Sequence, residues 1–276
     1  MPAFTLDGQR LAYTVHGEGR QVVVLLHGLL FSQRLHEALA RKLAARGHRA
    51  VTLDLLGHGE SDRPLDMWRY SMPAFGDQVV ALLDHLGVPD ATVLGTSLGA
   101  NVALEVAATA PERLRGMVIE MPVLDNALLG CALAFTPLMA ALTVGEPGMR
   151  ALALAARAVP RRRLPWQLDI VLDWIRQDPA PSAAVLQGLF FGRTAPPRML
   201  RREMTTPALV IGHQHDLIHP FSDAGELAAE LPNARLLQAS SLLELRVAPA
   251  RLTREIADFL HACWATPRAG TRSRAS

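Results

Sequence analysis

Ser97 sits in Gly95-Thr96-Ser97-Leu98-Gly99, and a serine flanked by glycines at this spacing is arranged for nucleophilic attack. At a sharp turn from strand to helix, small neighbours are needed where the backbone crowds, and the hydroxyl is pushed above the sheet edge. Thr92-Val93-Leu94 supplies an apolar strand and Leu98 to Ala108 an amphipathic helix, so the context is right on both sides. The helix start adds positive potential and free N–H groups, making the Leu98 N–H a candidate donor to an oxyanion. Such a serine needs a proton acceptor within hydrogen-bond reach. Gly212-His213-Gln214-His215-Asp216-Leu217-Ile218-His219-Pro220 brings a carboxylate and imidazoles together, with His219 or His215 as base beside Asp216. The competing role for His219, just before Pro220 at a helix start, is a cap or a pocket wall.

These residues need rigid elements behind them. Phe4–Leu6 and Arg10–Val15 read as two strands joined by Asp7-Gly8, a dipeptide suited to a tight hairpin. Apolar runs then alternate with helical patterns: strand 22–26, helix 33–45, strand 50–53, helix 73–86, strand 92–94, helix 98–108 and strand 116–120. Strands 208–211 and 234–238 and a helix over 249–263 follow. Continuous apolar strands between amphipathic helices predict an α/β fold with a mostly parallel sheet covered on both faces. Between Pro122 and Ala208 the alternation stops for about 85 Ala-, Leu- and Arg-rich residues, too many for a loop, which predicts a helical subdomain. Its Trp166, Trp174, Phe190 and Phe191 are candidates for a pocket wall, with ordinary packing as the competing role.

Composition narrows the partners. In 276 residues, 28 basic and 26 acidic side chains give a formal charge of +2, which offers no electrostatic footprint for nucleic acid or a membrane surface. Half the residues are hydrophobic, enough for a large core and a small apolar substrate or ligand. Cys131 and Cys263 are far apart and signal neither a disulfide framework nor a zinc site, which fits a reducing cytoplasm. Met1–Leu6 lacks the pattern of a signal peptide, and Val22–Leu26 is too short to span a bilayer. Neither a metal nor an organic cofactor is indicated, because no ligand cluster or phosphate-binding glycine fingerprint occurs. Oligomeric state is left open.

Four elements in order then carry a resemblance: His27-Gly28-Leu29 after the third strand, Asp54-Leu55-Leu56-Gly57-His58-Gly59-Glu60-Ser61-Asp62 after the fourth, the Ser97 turn, and the Asp216 loop after the seventh. Over nearly its whole length the chain resembles the capped, serine-nucleophile branch of the α/β-hydrolase superfamily. The resemblance implies an eight-stranded sheet with a helical cap inserted after the sixth strand. It divides the chain into a core of residues 1–121 and 207–265, a cap of 122–206 and a disordered tail of 266–276. It makes the Leu29 N–H the second oxyanion donor and Asp216 the acid. His27 is expected at the pocket with Trp166 and Trp174; like His58, it is better suited to bonding its own turn than to carrying protons. His36, His48 and His85 are expected on or beside surface helices. Glu120 and Asp125, after the sixth strand, hold an alternative acid position. Serine at position 97 argues against the branches that attack with a carboxylate.

One element departs. The family's histidine belongs on the loop before the last helix, within Ser240 to Pro249, and Leu242 stands there. No histidine occurs between His219 and His261, and His261 lies roughly 18 Å down the final helix at 1.5 Å per residue. Four readings follow: a relocated base, His219 or His215; a carboxylate base, Asp216 or Glu244, with a raised pKa; a Ser97 that polarises without attacking, as in lyase- or oxygenase-like members; or a ligand-binding pseudoenzyme. The expectation is a hydrolase of a small apolar ester, thioester, lactone or dione acting through Ser97, slow or with an atypical base.

Overall fold

A computed structural model describes residues 1–161 and 164–265, without the side chains of Trp166, Gln167 and Val171. The tail expected over 266–276 lies outside the described residues. In chain order the elements are β1 (Ala3–Leu6), β2 (Gln9–His16), β3 (Gln21–Leu26), α1 (Arg34–Ala44), β4 (His48–Leu53), α2 (Met72–His85), β5 (Ala91–Thr96), α3 (Leu98–Thr109) and β6 (Leu114–Glu120). Helices α4 (Leu128–Thr143), α5 (Glu146–Ala158), α6 (Trp166–Ile175), α7 (Pro179–Phe191) and α8 (Arg198–Glu203) form the insertion. The chain resumes with β7 (Ala208–His213), α9 (Phe221–Glu230), β8 (Ala234–Ala239), α10 (Glu244–Val247) and α11 (Ala250–Ala265).

The eight strands form one sheet in the order β1-β2-β4-β3-β5-β6-β7-β8. Its first two pairings are antiparallel and the rest parallel. The hairpin turn has Asp7 at φ 49° and Gly8 at φ 76°, the two left-handed positions that a two-residue turn matching strand twist requires. Each central strand is apolar on both faces because both are covered. In β3, Val22, Val24 and Leu26 face α2 and α3, while Val23 and Leu25 pack in the cluster of α1 and α11. This double burial fixes the register, since a slip of one residue would exchange the two faces. The parallel strands therefore end together, and the loops after β3, β5, β7 and β8 meet along one edge.

Candidate active site

Ser97 lies between β5 and α3 at φ 53° and ψ −111°, a conformation that costs an L-residue free energy and persists only where the surroundings over-determine it. Two close approaches impose it. A Cβ on Gly95 would lie 2.0 Å from Gly99 O, and one on Gly99 would lie 2.4 Å from Leu26 O, so both must be glycine. The Ser97 N–H donates to Glu120 O at 2.9 Å and the Gly99 N–H to His27 O at 3.2 Å, pinning the turn to both neighbouring strands. Leu98 opens α3, where the first N–H groups have no partner within the helix. It and Leu29, from the loop after β3, border the same cavity as Ser97.

The imidazole of His219 meets this serine. Ser97 Oγ lies 2.8 Å from His219 Nε2, and His219 Nδ1 lies 2.9 Å from Asp216 Oδ2. With Nδ1–H donating to the carboxylate, Nε2 is left as the acceptor for the hydroxyl. The other carboxylate oxygen, Asp216 Oδ1, accepts the N–H groups of Ile218 at 2.9 Å and His219 at 3.0 Å. Burial alone would raise the Asp216 pKa, but the hydrogen bonds from His219 outweigh it and hold the carboxyl below its usual range.

A carboxylate base would need a raised pKa, whereas the surroundings of Asp216 and Glu244 lower both. Glu244 is lowered first by its hydrogen bonds from Arg251, whose Nε and Nη2 both approach at 2.8 Å; the Ser240 N–H adds another at 2.5 Å. Leu242 occupies a turn before α10, 39% exposed. The alternative acids differ in their surroundings. Asp125 is at the cavity rim, and Glu120 belongs to a buried network beneath the serine.

That network was not anticipated from sequence. Glu120 Oε2 accepts from Thr96 Oγ1 at 2.5 Å and Arg246 Nη2 at 2.8 Å, and Arg246 Nη2 also donates to Thr96 Oγ1 at 3.0 Å. His213 Nε2 stands 3.4 Å from Glu120 Oε1. Burial would push the Glu120 pKa up, but Arg246 and His213 hold it well below the carboxylate range. Burial likewise opposes charge on His213, and Glu120 outweighs it, raising that pKa. Arg246 comes from the loop where the resemblance led to the expectation of a histidine, and its guanidinium reaches Thr96 and Glu120 beneath the serine. The one signal available beforehand was a glutamate ending a buried strand, a charge that must find a partner.

Other expected residues lie elsewhere. His27 is fully buried behind its loop: with Nδ1–H donating to Gly28 O at 2.8 Å, Nε2 accepts from the Leu55 N–H at 3.1 Å. It fixes the turn and does not line the cavity, and burial lowers its pKa despite the nearby Asp54. Trp174 packs with Leu142 and Leu186 of the insertion and Leu30 of the loop after β3, and it is not among the residues that line the cavity at Ser97. Trp166 opens α6, and its side chain lies outside the described residues. His36 and His48 are buried, not on the surface. His36 Nε2 is 3.0 Å from Leu26 O and 3.3 Å from Thr96 Oγ1, and burial, then Arg246, pushes its pKa down to about 3.

The cavity at Ser97 has a volume of about 580 Å³ and runs under the insertion past Met72, Phe135, Leu186, Leu189 and Phe190. Polar ties hold the insertion over it. Asn101 Nδ2 donates to Val123 O at 2.7 Å and Thr194 O at 2.6 Å, joining both stalks to α3. Buried Asp223 of α9 accepts the N–H groups of Leu124, Asn126 and Ala127 at the start of α4. The stretch Asp125–Thr143 is long and apolar enough to cross a membrane, with mean hydropathy 1.6, a property the sequence reading did not note. Here it forms one wall of the cavity. Among the described residues, no group of three or more His, Cys, Asp or Glu side chains is placed to hold a metal ion.

Residues 21–135 match the alpha/beta hydrolase fold family. Over 112 residues the chain is 38% identical to a dihydrolipoyllysine-residue acetyltransferase component of an acetoin cleaving system from Pseudomonas putida, covering 38% of this chain and 28% of that protein. Over 115 residues it is 34% identical to a putative 2-succinyl-6-hydroxy-2,4-cyclohexadiene-1-carboxylate synthase from Bacillus subtilis, covering 41% of each. The matched segments thus span less than half the length of either relative. An enol-lactonase from Burkholderia xenovorans superposes with a TM-score of 0.78 at 23% identity, covering 94% of this chain and 100% of that one. The chain has the α/β-hydrolase fold.

Proposed function

We propose that the protein is a serine hydrolase of apolar esters or related acyl compounds (thioesters, lactones or diones) whose catalytic base comes from the loop after β7. Ser97 is the nucleophile, His219 the base and Asp216 the residue that fixes the imidazole. The observation that carries this reading is the continuous relay from Ser97 Oγ through His219 Nε2 at 2.8 Å to Asp216 Oδ2 at 2.9 Å. As Oγ attacks the acyl carbon, Nε2 takes its proton, and the Leu29 and Leu98 N–H groups receive the developing oxyanion. His219 then protonates the leaving group, the oxygen of an ester or lactone, the sulfur of a thioester or the carbon of a dione, leaving an acyl-Ser97. Water, deprotonated by His219, attacks in turn, releases the acid and restores the hydroxyl. The loss of a histidine at Leu242 is offset by placing acid and base three residues apart on one loop.

The binding-protein reading rested on a serine without a base, and the imidazole against Ser97 supports the hydrolase reading over it. Hydrolysis of p-nitrophenyl butyrate tests the proposal. Ser97→Ala and His219→Ala are each expected to lower kcat by about 10³-fold or more, as when a triad member is lost. Hydrolysis undiminished in Ser97→Ala would overturn it. A wild type inert to esters, thioesters, lactones and diones would return the protein to the ligand-binding class.

A further inference from the structure

Resting on Ser97 and His219 as the reacting pair, we infer that the insertion positions the base: the seat of α4 on the loop after β7 sets where His219 stands, and Gly130 is the positioning residue. Asp216 shapes that loop from within, through the Ile218 and His219 N–H groups. Where the loop stands relative to Ser97 depends on what meets it from outside. Its two ends are fixed: His213 Nδ1 lies 2.9 Å from Ser241 O, and Pro220 O accepts the Asp223 N–H at 3.0 Å. Between them, the Leu217–Ile218 peptide lies against Gly130. A Cβ there would stand 2.6 Å from Leu217 O, where ordinary contact begins near 3.4 Å, and 3.5 Å from Ile218 Cα. Only glycine lets helix and loop approach so closely. Within a helix alanine is otherwise favoured over glycine, so this residue runs against helix propensity and fits the contact.

The same helix start joins the two halves of the relay. Ser97 precedes α3, and Asn101, whose N–H donates to Ser97 O, is bonded to Val123 in both directions. Asn101 Nδ2 donates to Val123 O at 2.7 Å, and its Oδ1 accepts the Val123 N–H at 3.0 Å. Asp223, buried in the first turn of α9, stands at the far end of the base loop. It accepts the N–H groups of Leu124 at 2.7 Å and of Asn126 and Ala127 at 3.1 Å. Residues 123–130 therefore bridge the helix that begins at the nucleophile and the helix that follows the base. Leu128 and Cys131, on either side of Gly130, line the cavity with Ser97. A shift of this segment against the core is transmitted to the Leu217–Ile218 peptide, and His219 is the next residue.

The test adds one methyl group to either of two helices. Gly148 is the third residue of α5 as Gly130 is of α4, but a Cβ on it meets nothing within 4 Å. In Gly130→Ala the peptide must retreat, and a displacement of about 1 Å at a reacting group costs up to about 10²-fold in rate. The rate at which a fluorophosphonate modifies Ser97 and kcat for p-nitrophenyl butyrate are therefore expected to fall together by about tenfold or more, with KM within about threefold of wild type. Gly148→Ala is expected to match wild type in all three. Asp223→Asn keeps the size of the side chain but turns an N–H toward the donors at the start of α4. It is expected to slow labelling by about tenfold without any clash, and it carries the test if Gly130→Ala does not fold. Wild-type kcat and labelling in folded Gly130→Ala or in Asp223→Asn, a raised KM with kcat unchanged, or an equal loss in Gly148→Ala would overturn the inference. A wild type whose Ser97 is never labelled would instead sink the reading on which it rests.

Discussion

At the scale of single residues, Asp216 performs two tasks with one carboxylate. Oδ1 accepts two backbone N–H groups and shapes the loop, and Oδ2 receives the imidazole that the loop carries. The carboxylate therefore shapes the loop that carries the imidazole bonded to it. Because its bonds with His219 lower its pKa in the folded state, the unfolded chain binds a proton there more readily. Its contribution to stability is thus fully present above the ordinary carboxylate range and is lost as pH falls below it. The difference in Tm between wild type and Asp216→Asn is expected to be largest near neutrality and to shrink as the pH is lowered to about 3. A difference that stays constant over that range would show that the carboxylate's charge plays no part.

At the scale of elements, the connection from β8 to α11 ties the far edge of the sheet to the end of β6. Through α10 it sends Arg246 to Glu120 at the end of β6, and the Ser97 N–H is held by that residue's carbonyl. Removing one partner of a buried ion pair leaves the other charge uncompensated, which costs about 3–5 kcal/mol, whereas removing both costs much less. Arg246→Met leaves Glu120 partly compensated by His213 and is therefore expected to lower unfolding stability by less than that range, measured in urea, with much of the loss recovered in Glu120→Gln/Arg246→Met. Additive losses would mean that the two side chains act independently. The pair also marks a limit of what is legible in sequence. Ser97 and the Asp216–His219 loop are readable because their chemistry depends on residues within a few positions. Glu120 and Arg246 are separated by 126 positions, and only the order of the strands brings them together.

At the scale of the whole molecule, a sheet covered on both faces brings its parallel strand ends to one edge, and the insertion roofs that edge. Alternation of apolar runs and amphipathic helices made the sheet readable, and its interruption after Pro122 made the insertion readable. Which side chains the insertion turns toward Ser97 was not readable, because its helices are apolar on several sides. Phe135 and Leu186 reach the cavity, while Trp174 packs where the insertion meets Leu30 of the loop after β3. The central claim is that this edge is a working relay whose base is His219, and the rate at which a fluorophosphonate modifies Ser97 measures that directly. Modification of Ser97 in the wild type, followed by mass spectrometry, is expected to slow by about 10³-fold or more in His219→Ala and to vanish in Ser97→Ala. An unchanged rate in His219→Ala would contradict the account.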